Sequence, residues 1–168
     1  TFTKSTSTVT YDEADAQTVD NVDYHHLVIS GGATKSLSNT TNVGGDLTVT
    51  AASTVLAVGS NTIDVNGTTA ISSSGTVTVS TGTFDADGTM NCSANFTFTD
   101  AGALNLSNTV TDLGTFTKST STVTYDEADA QTIDNVTYNN LIIDQNATKT
   151  AANNLDIDGN LTLTNSTT

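Results

Sequence analysis

Apolar residues in this chain recur two positions apart, with Thr, Ser, Asn or Asp between them. The pattern appears in segments such as LVIS at 27–30, DLTVT at 46–50, GTVTVSTG at 75–82 and NFTFTD at 95–100. A period of two places one face of a strand in the core and the other in water. Because no segment repeats apolar residues at helical spacing, the pattern predicts an all-β chain with no significant helix.

The alternation also predicts which side chains point inward. The predicted structural core consists of Val9, Tyr11, Leu27, Ile29, Leu47, Val49, Ile63, Val65, Val77, Val79, Phe96, Phe98, Leu104, Leu106, Val123, Tyr125, Leu141, Ile143, Leu161 and Leu163. Clusters of Gly, Asn, Asp and Ser separate the strands, for example NVGGD at 42–46, and such residues turn the chain.

One long stretch of sequence occurs twice. TFTKSTSTVTYDEADAQT at 1–18 returns unchanged at 115–132, and a shift of 114 residues aligns 1–54 with 115–168. Apolar positions stay apolar, as where Val28 becomes Ile142, whereas polar positions change more freely. We therefore expect one continuous array, a segment of a longer chain, in which 1–114 is one repeat unit and 115–168 starts the next.

Two architectures accommodate many short strands with regular turns. One is a parallel β-solenoid (β-helix) and the other is a set of antiparallel β-sandwich repeats. Strands with only two inward residues and nearly identical tandem copies favour the solenoid. About 19 residues per turn would give about six turns per unit, and a rise of about 29 Å at about 4.8 Å per turn.

Charge restricts the possible partners. Eighteen acidic residues oppose four lysines, Lys4, Lys35, Lys118 and Lys149, and the net charge is -14. Nucleic acids and anionic membranes are bound through basic patches, so we expect neither as a partner. No apolar run is long enough to cross a bilayer, which argues against direct membrane insertion.

The repeated segments resemble a known class of proteins. STVTYDEADAQTVDNVDYHHLVIS at 7–30 and STVTYDEADAQTIDNVTYNNLIID at 121–144 are each followed by ATK and then by GGDLTVT or GNLTLT. They resemble the Thr-rich β-strand repeats of very large bacterial surface proteins, similar to filamentous-haemagglutinin-like and autotransporter-passenger solenoids. The resemblance covers 1–54 and 115–168. It implies secretion, a parallel β-solenoid at the cell surface, and a role in adhesion, matrix or filament building.

Acidic clusters are the main candidates for binding chemistry. The weak calcium candidates are Asp85, Asp87, Asp126, Asp129, Asp156 and Asp158. Calcium takes six to eight oxygen ligands from such loops. Asp is also a common residue of solvated turns, and that interpretation is favoured here. No other cofactor is predicted.

Other reactive side chains favour no catalytic site. His25 and His26 become Asn139 and Asn140 in the second copy, so we expect a solvated pair in a turn. The lysines are likewise expected to be solvated, and Cys92 is expected to be a small core residue. No catalytic residue is predicted, and the chain is not expected to be an enzyme.

Thr-x-Thr pairs recur along the chain, at 8/10, 48/50, 76/78, 97/99, 122/124 and 162/164. Flat Thr arrays can bind ice, but these pairs are unevenly spaced and Thr is a good strand former.

The repeat pattern predicts a stiff rod, and the resemblance implies an extracellular structural protein that serves as a surface filament, matrix fibre or adhesin stalk. Its expected partners are copies of itself, through end-to-end stacking or lateral bundling. The alternatives are a ligand-binding adhesin with calcium-assisted or carbohydrate binding, and ice binding.

Overall fold

The computed structural model describes residues 5–144 and 147–164, which form twenty-three short strands and no helix. In the first part of the chain these are β1 (Thr8–Tyr11), β2 (Gln17–Val19), β3 (His26–Ile29), β4 (Thr34–Leu37), β5 (Thr41–Val43), β6 (Leu47–Val49), β7 (Val55–Gly59), β8 (Thr62–Val65), β9 (Thr69–Ile71), β10 (Thr76–Val79), β11 (Thr83–Ala86) and β12 (Met90–Cys92). The later strands are β13 (Asn95–Phe98), β14 (Ala103–Leu106), β15 (Val110–Asp112), β16 (Thr115–Thr117), β17 (Thr122–Tyr125), β18 (Gln131–Ile133), β19 (Thr137–Tyr138), β20 (Asn140–Ile143), β21 (Lys149–Ala151), β22 (Asp156–Ile157) and β23 (Leu161–Leu163).

The strands stack into three parallel sheets that form the sides of a solenoid. Face A consists of β1, β3, β6, β9, β12 and β15; face B of β2, β4, β7, β10, β13 and β16; and face C of β5, β8, β11, β14, β17, β20 and β23. Near the end of the chain β18 contacts β15 and pairs with β21, which continues face A. β19 pairs with β22 and lies over β16, where the Tyr138 and Phe116 rings are 6.2 Å apart. These sheets make a β-solenoid of about 8 turns, which confirms the prediction and excludes the antiparallel sandwich.

The number of residues per turn varies around the expected value of about 19. Residues paired between adjacent turns are 18 apart at Val9 and Leu27 and 22 apart at Leu47 and Thr69. The corners between the faces absorb the difference, because the paired strands themselves remain in register over most of their length. An uneven spacing in sequence is therefore compatible with regular stacking.

Buried side chains from the three faces meet along the axis. Of the twenty predicted core residues, fifteen are buried, and Val9, Tyr11 and Ile143 are partly buried. The remaining two, Leu161 and Leu163, are exposed by 52% and 61%. The expectation that these two lie in the core is wrong for the described structure. They belong to β23, which is the edge strand of face C, so no described strand covers them.

The core also contains a line of aromatic rings, of which the alternating sequence pattern predicted only Phe96 and Phe98 among the phenylalanines. Phe84 packs against Phe96 with ring centroids 5.3 Å apart, and Phe98 lies 5.9 Å from Phe116. Phe116 in turn contacts Tyr138. Edge-to-face and offset ring pairs of this kind add to the stability gained from burial alone. The line crosses from the first unit into the second without a gap.

The two copies of the repeat do not lie on the same faces. From Val9, five full turns along face A lead to Val110 through Leu27, Leu47, Thr69 and Met90. The chain then passes β16 on face B and reaches Val123, the counterpart of Val9, in β17 on face C. The 114-residue shift therefore spans five and two-thirds turns, slightly fewer than the six expected, and rotates the second copy by one third of a turn.

Candidate functional site

A buried lysine anchors the acidic loop of the repeat. Lys35 lies in β4 and is fully buried. Its Nζ donates to three backbone carbonyls, those of Glu13 at 2.7 Å, Asp15 at 3.0 Å and Gly32 at 2.7 Å. Hydrogen bonds from an ammonium group are stronger than neutral ones. Lys35 thus ties the 13–15 loop to the next turn.

The second copy repeats this arrangement. Lys149 Nζ donates to the carbonyls of Glu127 and Asp129, the counterparts of the same two loop residues. Lys149 is only partly buried, yet desolvation lowers the pKa of its ammonium group. The expectation of solvated lysines is therefore wrong for Lys35, whose ammonium group is surrounded by backbone carbonyls, and only partly right for Lys149, which binds two of them but stays partly exposed.

Two tyrosine pairs brace the next corner of each copy. The hydroxyls of Tyr11 and Tyr24 are 2.8 Å apart, and Tyr24 donates to the Asp20 carbonyl. In the second copy the hydroxyls of Tyr125 and Tyr138 are 2.9 Å apart, and Asp134 N–H donates to the Tyr125 hydroxyl. Burial raises the pKa of Tyr125 to about 12. The hydrogen bonds to backbone groups make these pairs structural rather than reactive.

A small cavity lies beside the first tyrosine pair. It measures about 190 Å³ and is lined by Val9, Tyr11, Asp20, Val22 and Tyr24. Ligand pockets usually measure about 300 Å³ or more. In the second copy the equivalent Tyr138 is covered by Phe116 of the preceding turn. The cavity lies beside the first described turn, and its lining contains no reactive group beyond the tyrosines and Asp20.

Face C carries on its outer surface a file of polar side chains that includes two aspartates. Asn42, Asp64, Asp85 and Asn105 are paired in register on four successive turns. Desolvation raises the pKa of Asp85, and the nearby charges of Asp87, Asp64 and Asp126 raise it further. Desolvation and Asp87 likewise raise the pKa of Asp64. The Oδ1 atoms of Asp64 and Asp126 are buried with no hydrogen-bond partner among the described residues.

The calcium candidates do not meet at one site. Asp85 lies on face C, and Asp87 and Asp126 directly follow β11 and β17 of that face. Asp156, in contrast, accepts a hydrogen bond from Thr137, and Asp158 forms a 2.8 Å ion pair with Lys118. The backbone of Asp129 donates to the Glu127 carboxylate within its own loop. Within residues 5–144 and 147–164, no three acidic, histidine or cysteine side chains are grouped so that they could hold a metal ion. Calcium binding stays a prediction.

Face B differs from face C because its outer surface carries no charge between β4 and β16. Ser36, Ala57, Thr78, Thr97 and Thr117 are paired in register along its centre. Of the six Thr pairs, those at 76/78 and 97/99 lie on this face, and they are joined through Thr78 and Thr97. Complete Thr-x-Thr pairs are not stacked on each other, because Thr76 aligns with Asn95 rather than with another threonine.

The remaining reactive residues lie apart from these features. His25 and His26 stack edge to face at the corner between faces C and A, with ring centroids 4.3 Å apart. Cys92 is buried in β12, and burial raises the pKa of its thiol to about 11, so it remains protonated at neutral pH. The described part of the chain contains no helix of the length and apolarity needed to span a bilayer.

Comparison with family models, with curated proteins and with solved structures finds no match to this chain. The resemblance to large bacterial surface proteins therefore depends on the repeat pattern alone.

Proposed function

We propose that this chain is an extracellular structural protein, a stiff β-solenoid rod that serves as a surface filament, matrix fibre or adhesin stalk. The observation that supports this proposal is the unbroken stacking of the core across the boundary between units. On face C one buried file runs through Ile63, Phe84, Leu104, Val123 and Leu141 with each residue in register with the next.

The arrangement suits a mechanical role for two physical reasons. Each turn is joined to the next by parallel strand pairing on three faces, so bending the rod must break several hydrogen bonds together. A net charge of -14 opposes side-by-side bundling of separate rods in solution.

End-to-end stacking is the form of self-association that we propose. In the first copy, Leu47 and Val49 of β6 are covered because β9 pairs with that strand. Their counterparts Leu161 and Leu163 are exposed at the edge of β23. A strand from the next turn of a continuing array, or from another copy, would cover them in the same way, since an unpaired edge is a template for strand addition.

Labelling and imaging test this function together. Antibodies raised against the purified chain should label filaments or matrix outside the source cells in immunogold microscopy. Electron cryomicroscopy of the labelled material should show layer lines at about 4.8 Å along the filament axis. Label confined to the cell interior, or antibody-bound particles without axial strand spacing, would refute the proposal.

A second candidate is binding of a flat, uncharged ligand, ice or a carbohydrate, on face B. It is favoured by the register-aligned file of Ser36, Ala57, Thr78, Thr97 and Thr117. Thr97→Lys should abolish inhibition of ice recrystallisation or retention on a polysaccharide column, whereas Thr124→Lys on face C should not. The absence of both activities in the unmodified chain would eliminate this candidate.

A further inference from the structure

The corner between faces C and A carries a ladder of side chain to backbone hydrogen bonds. Asp46 N–H donates to His26 Nδ1 at 2.9 Å, and Thr68 N–H donates to Asp46 Oδ1 at 2.8 Å. The ladder thus connects three successive turns. The His26 ring lies close against the backbone of the next turn at Gly45. A Cβ atom placed on Gly45 would be only 2.9 Å from the ring.

The second copy forms the first of these two hydrogen bonds without a titratable group. Asn140, the counterpart of His26, accepts a hydrogen bond from Asn160 N–H at 3.1 Å through its Oδ1. An amide oxygen accepts at every pH, whereas an imidazole nitrogen accepts only while it is unprotonated. The two copies therefore perform one structural task with chemically different acceptors.

Two opposing groups surround His26 Nδ1. The Asp46 N–H requires a lone pair on this nitrogen, whereas Asp46 Oδ2, 3.4 Å away, would accept a proton from it. Among the described residues, the other titratable group in contact with the ring is His25, and the preceding turn contributes the uncharged Ser7 and Thr8. Histidine is the side chain that normally changes charge between pH 5 and 8.

We propose that His26 is a pH-sensitive latch at this corner. In the neutral form its Nδ1 accepts the Asp46 amide and joins the two turns. Uptake of a proton at Nδ1 ends that hydrogen bond, and the new N–H donates to the Asp46 carboxylate instead. Movement of the carboxylate toward the ring draws Oδ1 away from Thr68 N–H, so the change reaches a third turn.

Amide signals in nuclear magnetic resonance test this latch in the intact 168-residue chain. Between pH 8 and pH 5 the Asp46 and Thr68 amides should follow one histidine transition, while the Asn160 amide should not. Protection of the Asp46 amide from hydrogen exchange, corrected for intrinsic rates, should fall about tenfold on protonation, as expected for loss of one hydrogen bond.

Matched variants separate the latch from general effects of pH. His26→Asn introduces the residue of the second copy, so the corner should still fold, and both transitions should disappear. His25→Asn should keep them. Asp46→Asn should keep the transition at the amide of residue 46 but remove it at Thr68. A pH-independent Asp46 amide in the unmodified chain, or a transition that survives in His26→Asn, would overturn the proposal.

Discussion

The segment TVTY occurs in both copies of the repeat, yet its two occurrences are packed differently. In β1, Val9 and Tyr11 are only partly buried, because β1 is the edge strand of face A. In β17, Val123 and Tyr125 are fully buried between β14 and β20. The same residues form the same strand in both places. Local sequence therefore determines the strand and its inward side, whereas the neighbouring turns determine how much the inward side stabilises the fold.

The buried lysines show the opposite asymmetry. Lys35 of the first copy is fully buried, and Lys149 of the second is partly exposed. Completeness of packing is thus a property of each position in the stack and not of one copy as a whole. Paired substitutions at equivalent positions can measure this difference directly.

The largest expected effect is the loss of the Lys35 ammonium group. Lys35→Met preserves most of the side-chain volume but leaves three backbone carbonyls without their donor. We expect the free energy of unfolding to fall by about 3 kcal/mol, since buried groups left unpaired are costly. Lys149→Met should cost less than half as much, because water can reach that site. Chemical denaturation followed by circular dichroism measures both, and equal effects would contradict the asymmetry.

Truncation of the repeated valine tests the comparison within identical local sequence. Val123→Ala removes a fully buried side chain that packs between Leu104 and Leu141. The expected loss is about 2 kcal/mol, which combines lost burial with the cavity that remains. Val9→Ala should cost about half of that. If the two variants lose equal stability in the same denaturation assay, the neighbouring turns do not determine the contribution of this position.

The tyrosine pairs extend the comparison to buried polar groups. Tyr125→Phe removes a hydroxyl that binds both Tyr138 and the Asp134 backbone, and it should cost about 1 kcal/mol. Tyr11→Phe should cost less, because Tyr11 is only partly buried.

The Tyr125 hydroxyl also predicts a dependence on alkaline pH. Its pKa rises from 10.0 to about 12 on folding, so the folded state holds this proton more tightly. The resulting stabilisation is complete below pH 10 and is lost as pH rises through about 12. Thermal melts across this interval should show a steeper decline for the unmodified chain than for Tyr125→Phe.

The sequence predicts the strands and the stacking of this fold because both follow from a period of two and from a tandem repeat. It does not predict that Val9 and Val123 lie on different faces. That result depends on the summed lengths of many corners, each of which can change by a residue or two without altering the strand pattern. A small error in the predicted number of residues per turn, summed over a 114-residue unit, is enough to place the second copy on a different face.

The role of Lys35 was also missed, although the sequence contains a signal for it. Lysine recurs after AT in both copies, at Lys35 and Lys149, while nearby polar positions such as His25 change. A polar residue that persists in a drifting repeat indicates a partner inside the fold. Its partners are backbone carbonyls, which no side-chain pattern reveals, and so the contact became visible only in the structure.

The smallest expected effect concerns an ion pair at a position where the copies differ. Asp158 pairs with Lys118 at 2.8 Å, and the position equivalent to Asp158 in the first copy is Gly44. The carboxylate is 58% exposed, so its attraction to the ammonium group is weakened by water and salt. Asp158→Asn should therefore change the free energy of unfolding by less than about 0.5 kcal/mol, and this difference should vanish in high salt. A larger effect that persists in salt would show that this corner of the second copy depends on its own charged contact, so that the two copies differ in how they are held together and not only in how deeply they are buried.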